Sequence, residues 1–333
     1  MSETMKQIVL ASRPNGVPTP ANFRLEEAPL PIPAEGEVLV RVEYMSLDPY
    51  MRGRMDDAKS YAANIPVDSK MEGGSVGKII ASNADGFEIG DFVMGSFGWA
   101  THSVATAVGL AKIDPHAAPI TYSLGVLGMP GFTGWYGLSE LGKPKSGETL
   151  VVAAATGPVG SMVGQLAKSR GLHTVGIAGG PTKCKIAVEH FGFDVCLDHH
   201  AYATASELRK AIKEAAPQGI DIYFENVGGK VLEAVMPLMN QHGRIPVCGM
   251  ISWYNEGGLG ADAVERTLTA PKIWRTILVN FLSVNGFIIS NHWNRMGDFH
   301  KEVGPMIANG TVKVQEDITI GLENAPEAFI KLL

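Results

Sequence analysis

From Leu150 to Ala155 the chain carries apolar residues only, and Gly157, Gly160 and Gly164 follow. An unbroken apolar run of this length fits a strand buried on both faces of a parallel sheet. The glycines fit a tight turn into a helix, with Ala155 in the first glycine slot and Pro158 and Val159 inside the turn. Further apolar runs occupy Leu172–Ala178, Val195–Leu197, Ile220–Phe224, part of Gly243–Gly249, and Ser283–Ser290. Segments of helical pattern lie between them, at Met162–Arg170, Lys183–Phe191, Ala205–Ala215 and Lys230–Met239. Strands alternating with helices predict an α/β domain with a doubly wound parallel sheet.

The first 120 or so residues follow a different pattern. Short apolar runs at Gln7–Leu10, Val38–Glu43, Gly74–Ile80, Phe92–Gly95 and His102–Val108 are separated by Pro and Gly clusters. That predicts an irregular β-barrel. The segment 292–333 carries a helix pattern, the sequence VKVQEDITI as a short strand, and a second helix, and is expected to return to the first domain.

Composition narrows the function classes. The 333 residues are 45% hydrophobic and 19% charged, with a net charge of −6. This suits a soluble enzyme of about two domains and makes no electrostatic case for nucleic acid. No apolar run reaches the ~18 residues that span a membrane, and the first residues show no basic-then-apolar leader. Three widely spaced cysteines, Cys184, Cys196 and Cys248, read as reduced cytoplasmic thiols.

In a doubly wound sheet the ligand sits at the carboxyl ends of the strands. The loops there, Thr156–Val159, Gly179–Lys183, Asn226–Gly229 and Gly249–Tyr254, are rich in glycine and small polar residues. The glycine turn and the helix start behind it suit a pyrophosphate. An acidic residue about 20 positions further on would hold a free ribose 2′-OH. None stands there before Glu189, whereas Gly179 and Gly180 leave room for a 2′-phosphate and Lys183 and Lys185 offer charge. The reading is NADP(H), the alternative being that these lysines form the solvated first turn of a helix.

Several motifs together carry a resemblance: SLDPYMRGRM (46–55), VLGMPGFTGWYGL (126–138), AAATGPVGSMVGQLAK (153–168), FGFDVCLDH (191–199), YFENVGG (223–229) and GRIPVCGMISWYN (243–255). Collinear over nearly the whole chain, they resemble the NADPH-dependent alkenal/one double-bond reductases of the medium-chain dehydrogenase/reductase superfamily. That group includes prostaglandin reductases and plant double-bond reductases, and its bacterial curcumin-reductase-like branch is the most similar. The resemblance implies a GroES-like substrate domain (1–122 and 292–333) and a Rossmann NADP(H)-binding domain (123–291). It implies a homodimer, and a hydride transfer to the β-carbon of hydrophobic enones and enals.

The resemblance also implies site residues. Gly157, Pro158, Val159 and Gly160 would meet the pyrophosphate, Lys183 the 2′-phosphate, and His199 would stand where the family often has a tyrosine beside that phosphate. Asn226 matches the asparagine of the (D/E)NVGG loop. Cys248, Gly249, Met250, Ile251, Ser252 and Tyr254 match the segment along the ribose and nicotinamide. Phe287, Ile288 and Ile289 match the segment that closes over the nicotinamide, often near the dimer contact. Tyr254 and Tyr50 are the candidate donors to the substrate oxygen, and Arg52 is expected to hold loop structure. Tyr61, Met71, Phe97, Trp99, Met129 and Trp253 are candidate linings of an apolar cleft. Family members usually continue past the position of Leu333 through a Gly-Lys segment and a last strand.

Many superfamily members hold zinc, but this chain has no cysteine before Cys184 and reads MEGGSVG (71–77) where the zinc enzymes carry Gly-His-Glu. His102 and the His199-His200 pair form no ligand cluster, so no metal is expected. Conjugate reduction needs none: a hydrogen-bond donor can hold the charge that builds on the carbonyl oxygen. Two other readings stay open, a quinone reductase and a scaffold that holds NADPH without turnover.

Overall fold

The computed structural model describes residues 4–57, 60, 62–255 and 270–333. The chain divides into two units, 1–125 with 254–265 and 316–333, and 126–253 with 266–315.

The second unit is the α/β unit. Its strands are β8 (Thr149–Ala153), β9 (His173–Ala178), β10 (Val195–Asp198), β11 (Ile220–Phe224), β12 (Met239–Val247) and β13 (Ser283–Gly286). They lie in the order β10-β9-β8-β11-β12-β13, and all pairs are parallel. This is the doubly wound order in which the chain leaves the centre in both directions, so the loops after β8 and β11 flank the switch point where ligands bind. The period of two along β8 explains why the sheet is covered twice. Leu150 and Val152 join one core with Met162, Leu166 and Phe132, while Val151 and Ala153 join the opposite core with Leu208, Ile212 and Val235.

The expected helices are α3 (Pro158–Ser169), α4 (Pro181–Glu189), α5 (Ala205–Ala215) and α6 (Gly229–Val235). The pattern read as helix up to Met239 stops at Val235, because Pro237 sits in a 3-10 turn and Met239 opens β12. The sixth strand ends at Gly286 rather than Ser290, and a 3-10 segment begins at Ile289.

The first unit holds a hairpin, β1 (Thr4–Leu10) with β2 (Phe23–Pro29), and an antiparallel sheet in the order β6-β3-β4-β5-β7. Those strands are β3 (Glu37–Met45), β4 (Ser75–Ser82), β5 (Phe92–Gly95), β6 (His102–Thr106) and β7 (Ala111–Ile113). A short helix, α1 (Tyr50–Arg54), follows β3. The last helix, α9 (Ala325–Leu332), returns to this unit through Phe329, which packs edge-on against Phe23 and Trp99.

The expected boundary at 292 falls instead at 316. Helix α8 (Met296–Ala308) stays with the α/β unit because Phe299 packs on Phe132 and Trp135, and Glu302 accepts from the Trp135 indole N–H at 2.7 Å. The strand expected at VKVQEDITI does not form. The Gln165 carboxamide does what a neighbouring strand would do, accepting from the Lys313 N–H (2.7 Å) and donating to its carbonyl (3.1 Å).

Candidate active site

The loop after β8 turns within four residues. Ala154 takes a left-handed conformation (φ +53°), the Gly157 N–H donates to its carbonyl at 3.0 Å, and α3 starts at Pro158. A Cβ on Gly160 would stand 2.2 Å from the Ala154 oxygen, so only glycine lets the helix start this close to the strand end. Pro158 carries no N–H, which leaves Val159 and Gly160 as the first donors of the helix. These residues fit a pyrophosphate.

Next to this turn lies a cationic corner. Gly179 and Gly180 link β9 to α4, and Lys183 is exposed on the first turn of α4. His199 Nε2 and His200 Cε1 lie 3.3 and 3.0 Å from where a Cβ of Gly179 would stand, and the two imidazoles meet edge to face at 4.2 Å. Lys230 donates to the carbonyls of His199 (2.8 Å) and Tyr202 (2.7 Å). Burial lowers the His199 pKa, and the nearby positive charges of His200, Lys230 and Lys183 lower it further. Asp198 accepts from the N–H groups of Gly180 and His200, which holds its carboxyl below the usual range. The corner thus gathers Lys183, Lys230 and His200 around the Asp198 carboxylate. A 2′-phosphate is the anion expected beside Lys183, and His199 lies next to that position with its imidazole held toward the neutral form. Lys230 and His200 were not foreseen, although Lys230 directly follows the YFENVGG motif.

On the other side of the switch point, Asn226 joins three strand ends. Its amide donates to the Ala153 carbonyl at the end of β8 (2.9 Å), and its own carbonyl accepts from the Ile251 N–H (3.2 Å). Val227 accepts from both the N–H and the hydroxyl of Ser252, at 3.1 and 2.5 Å. Cys248 and Gly249 donate to the carbonyl of Glu225, and the Trp253 N–H donates to Met250. The segment 248–252 is therefore stitched to the Asn226–Gly229 loop along its length. Phe287 donates its N–H to Val247 and packs on Tyr136, and Ile288 and Ile289 beside it are half-buried. The Cys248 thiol is buried and pushed up to about 12 by that burial and by Glu225, which suits a packed residue and not a nucleophile.

The two candidate donor tyrosines both belong to the first unit, where one arginine connects their segments. Arg52, 1% exposed, donates to Asn255 Oδ1 (3.2 Å), to Asp56 (2.6 Å) and to the Gly16 carbonyl (2.9 Å). Asn255 follows Tyr254, and Arg52 lies one residue from the neighbour of Tyr50 on α1. Arg52 thus holds loop structure, as expected of it. The Tyr50 ring carries the Arg54 guanidinium 5.8 Å from its centroid. Asp48, just before α1, is buried, and burial raises its carboxyl to about 6.

The expected apolar lining is in large part core. Met71, Phe97 and Trp99 are fully buried, with Trp99 stacked on Phe23 at 5.5 Å, so they pack the first unit and line nothing. Met129 and Trp253 keep partial exposure, and Tyr61 lies outside the described residues. Among the described residues no three His, Cys, Asp or Glu side chains gather as metal ligands. No described helix is long and apolar enough to cross a membrane.

Residues 6–113 match the family described as the N-terminal domain of oxidoreductase, and residues 158–303 match the family described as zinc-binding dehydrogenase. The chain is 49% identical to the NADPH-dependent curcumin reductase of Escherichia coli (strain K12), over 98% of this chain and 92% of that protein. It is 37% identical to the NADP(+)-dependent 2-alkenal reductase of Nicotiana tabacum, over 98% and 93% of the two chains. The crystal structure of CurA in complex with NADPH from Vibrio vulnificus superposes with a TM-score of 0.91 at 47% identity, covering 98% of this chain and 95% of that one.

Proposed function

The chain belongs to the NADPH-dependent alkenal/one double-bond reductases of the medium-chain dehydrogenase/reductase superfamily, and we propose how its own residues carry out that chemistry. It reduces the activated C=C bond of α,β-unsaturated ketones and aldehydes. Hydrophobic enones of the curcumin type are the substrate class. NADPH, when bound, supplies the hydride that adds to the β-carbon.

The observation that carries the reading is the clustering of loops at the switch point. There the glycine turn, the cationic corner and the stitched loops 226–229 and 248–252 all belong to one sheet end. Gly157 to Gly160 face the pyrophosphate. Lys183, with His199 beside it, takes the 2′-phosphate. Asn226, Cys248 to Ser252, and Phe287 to Ile289 flank the ribose and nicotinamide. As the β-carbon gains hydrogen, charge grows on the carbonyl oxygen, and the hydroxyl of Tyr254, assisted by Tyr50, donates to it. A tyrosine suits this task because it is a neutral donor near pH 7 on an apolar wall.

We read the enzyme as zinc-independent, since its barrel unit has no cysteine to serve as a ligand. We read it as cytoplasmic, in keeping with three free cysteines. A homodimer is supported by the sheet edge. Strand β13 ends the six-stranded sheet with all four residues exposed, Val284 among them, and Trp274, Leu278 and Phe281 are exposed around it. Such an apolar edge is normally covered, and a two-fold axis covers it with a second copy.

The test is NADPH oxidation across enals, enones, curcuminoids and quinones. Turnover of enones above quinones supports the proposal, and turnover of quinones alone would make the protein a quinone reductase.

A further inference from the structure

Glu225 follows β11 directly and is 1% exposed, yet four main-chain N–H groups from two loops end on it. Its Oε1 accepts from Val227 at 2.6 Å and from Gly228 at 2.8 Å. Its carbonyl accepts from Cys248 at 3.0 Å and from Gly249 at 3.2 Å, while its own N–H donates to Pro246 at 3.0 Å. Glu225 thus holds its own loop by its side chain and the 248–252 loop by its main chain, beside the two bonds from Ser252 to Val227. The remaining carboxyl oxygen, Oε2, is buried and meets no donor at full hydrogen-bond geometry. The same is true of the Tyr223 hydroxyl, which faces the Glu225 carboxyl.

We propose that Glu225 is a positioning residue, whose carboxyl fixes the spacing of the Asn226–Gly229 loop against 248–252 without touching the reacting atoms. The inference rests on the reading of those loops as the nicotinamide half of the NADPH site. The geometry gives the reason. Two successive N–H groups drawn onto one oxygen bend the loop so that Gly228 and Gly229 both take positive φ, +78° and +53°. In that conformation Ser252 Oγ comes within 3.3 and 3.2 Å of where their Cβ atoms would stand. Without the carboxyl, two buried N–H groups lose their acceptor and the bend loses its cause. One carboxyl oxygen accepts two main-chain bonds while the carboxyl also faces the Tyr223 hydroxyl, a pattern an amide can serve as well. A glutamine keeps the acceptor and offers its N–H₂ to the Tyr223 hydroxyl. Burial, which raises the Glu225 carboxyl, works in the same direction, since it favours an uncharged group at this place.

The experiment compares Glu225→Gln, Glu225→Ala and Glu225→Asp in the full chain. It measures Kd for NADPH and for NADH by nicotinamide fluorescence, Tm of the cofactor-free protein, and kcat and KM with an enone. The expected result is a glutamine variant that binds and turns over like the wild type. The alanine variant should bind both cofactors roughly 10-fold more weakly, because the loops serve the half that NADPH and NADH share. A folded alanine variant with wild-type Kd and kcat, altered only in Tm, would overturn the proposal, and so would a glutamine variant as impaired as alanine. Should the alanine variant not fold, aspartate carries the test. Its carboxyl is withdrawn by one methylene, so Kd should rise, and a wild-type Kd there would overturn the proposal. If the wild type itself does not bind NADPH, the functional reading falls and takes this inference with it.

Discussion

Single side chains decide cofactor choice and transition-state support. Lys183 stands exposed at the start of α4 near His199, where its charge can meet an anion. Lys183→Ala should weaken NADPH binding roughly 10- to 100-fold and leave NADH nearly unchanged, the scale of a lost hydrogen bond to a charged group. Titration with both cofactors checks this, and equal losses for the two would count against a 2′-phosphate role. For Tyr254→Phe the expectation is a fall in kcat of roughly 10- to 1,000-fold with KM changed less, because the bond strengthens in the transition state. Run in parallel, Tyr50→Phe shows how the task is shared, and a wild-type kcat in Tyr254→Phe with Tyr50→Phe crippled would move the assignment to Tyr50. Asp48 sets a pH dependence of stability. Burial raises its carboxyl to about 6 from an ordinary 3.8, so the folded state holds the proton more tightly than the unfolded chain. Its contribution is full below pH 3.8 and is lost as pH rises through about 6, amounting to about 3 kcal/mol. Asp48→Asn should therefore raise Tm more at pH 8 than at pH 4.5, and an equal shift at both would contradict the burial argument. Gly160 was legible in the sequence because the strand-to-helix turn that requires it is local. Lys230 was not, because its partners His199 and Tyr202 lie on a loop distant along the chain, nor was Glu225, whose burial its place in YFENVGG does not reveal.

At the scale of elements, what could be read was what repeats. Runs such as Leu150–Ala155 and Ile220–Phe224 became β8 and β11 because both faces of a central parallel strand are buried. Helix α2 (Met129–Tyr136) was not among the expected elements, because a proline and two glycines in MPGFTGWY hide its helical pattern. Its glycines serve packing: a Cβ on Gly134 would stand 2.9 Å from the Val159 carbonyl, so α2 and α3 approach backbone to backbone. The VKVQEDITI segment misled for the opposite reason. Its alternation is that of a strand, but its pairing partner is a single glutamine side chain, which periodicity does not reveal. Helix α3 offers a direct test. A Cβ on Gly164 would fall 1.9 Å from the Phe193 ring, inside the core that seats the pyrophosphate helix on the sheet. Gly164→Ala should cost about 1–3 kcal/mol of stability by overpacking. A thermal or urea melt checks it, and an unchanged midpoint would mean that α3 is not held at this distance.

For the whole molecule, the strand order and the exposed edge carry the remaining expectations. Light scattering at micromolar concentration should give a dimer of the 35.5 kDa chain, and charged substitutions at Leu278 and Phe281 together should shift it toward monomer. A monomeric wild type would leave that apolar edge without the partner assigned to it. The central claim is that hydride passes from NADPH to the β-carbon of an enone. The most direct measurement gives the enzyme NADPH carrying deuterium at C4 on the transferred face, with a hydrophobic enone, and locates the label in the product by NMR. Deuterium at the β-carbon of a saturated ketone is the predicted result. Deuterium on the carbonyl carbon, or NADPH oxidised with the C=C bond intact, would contradict it.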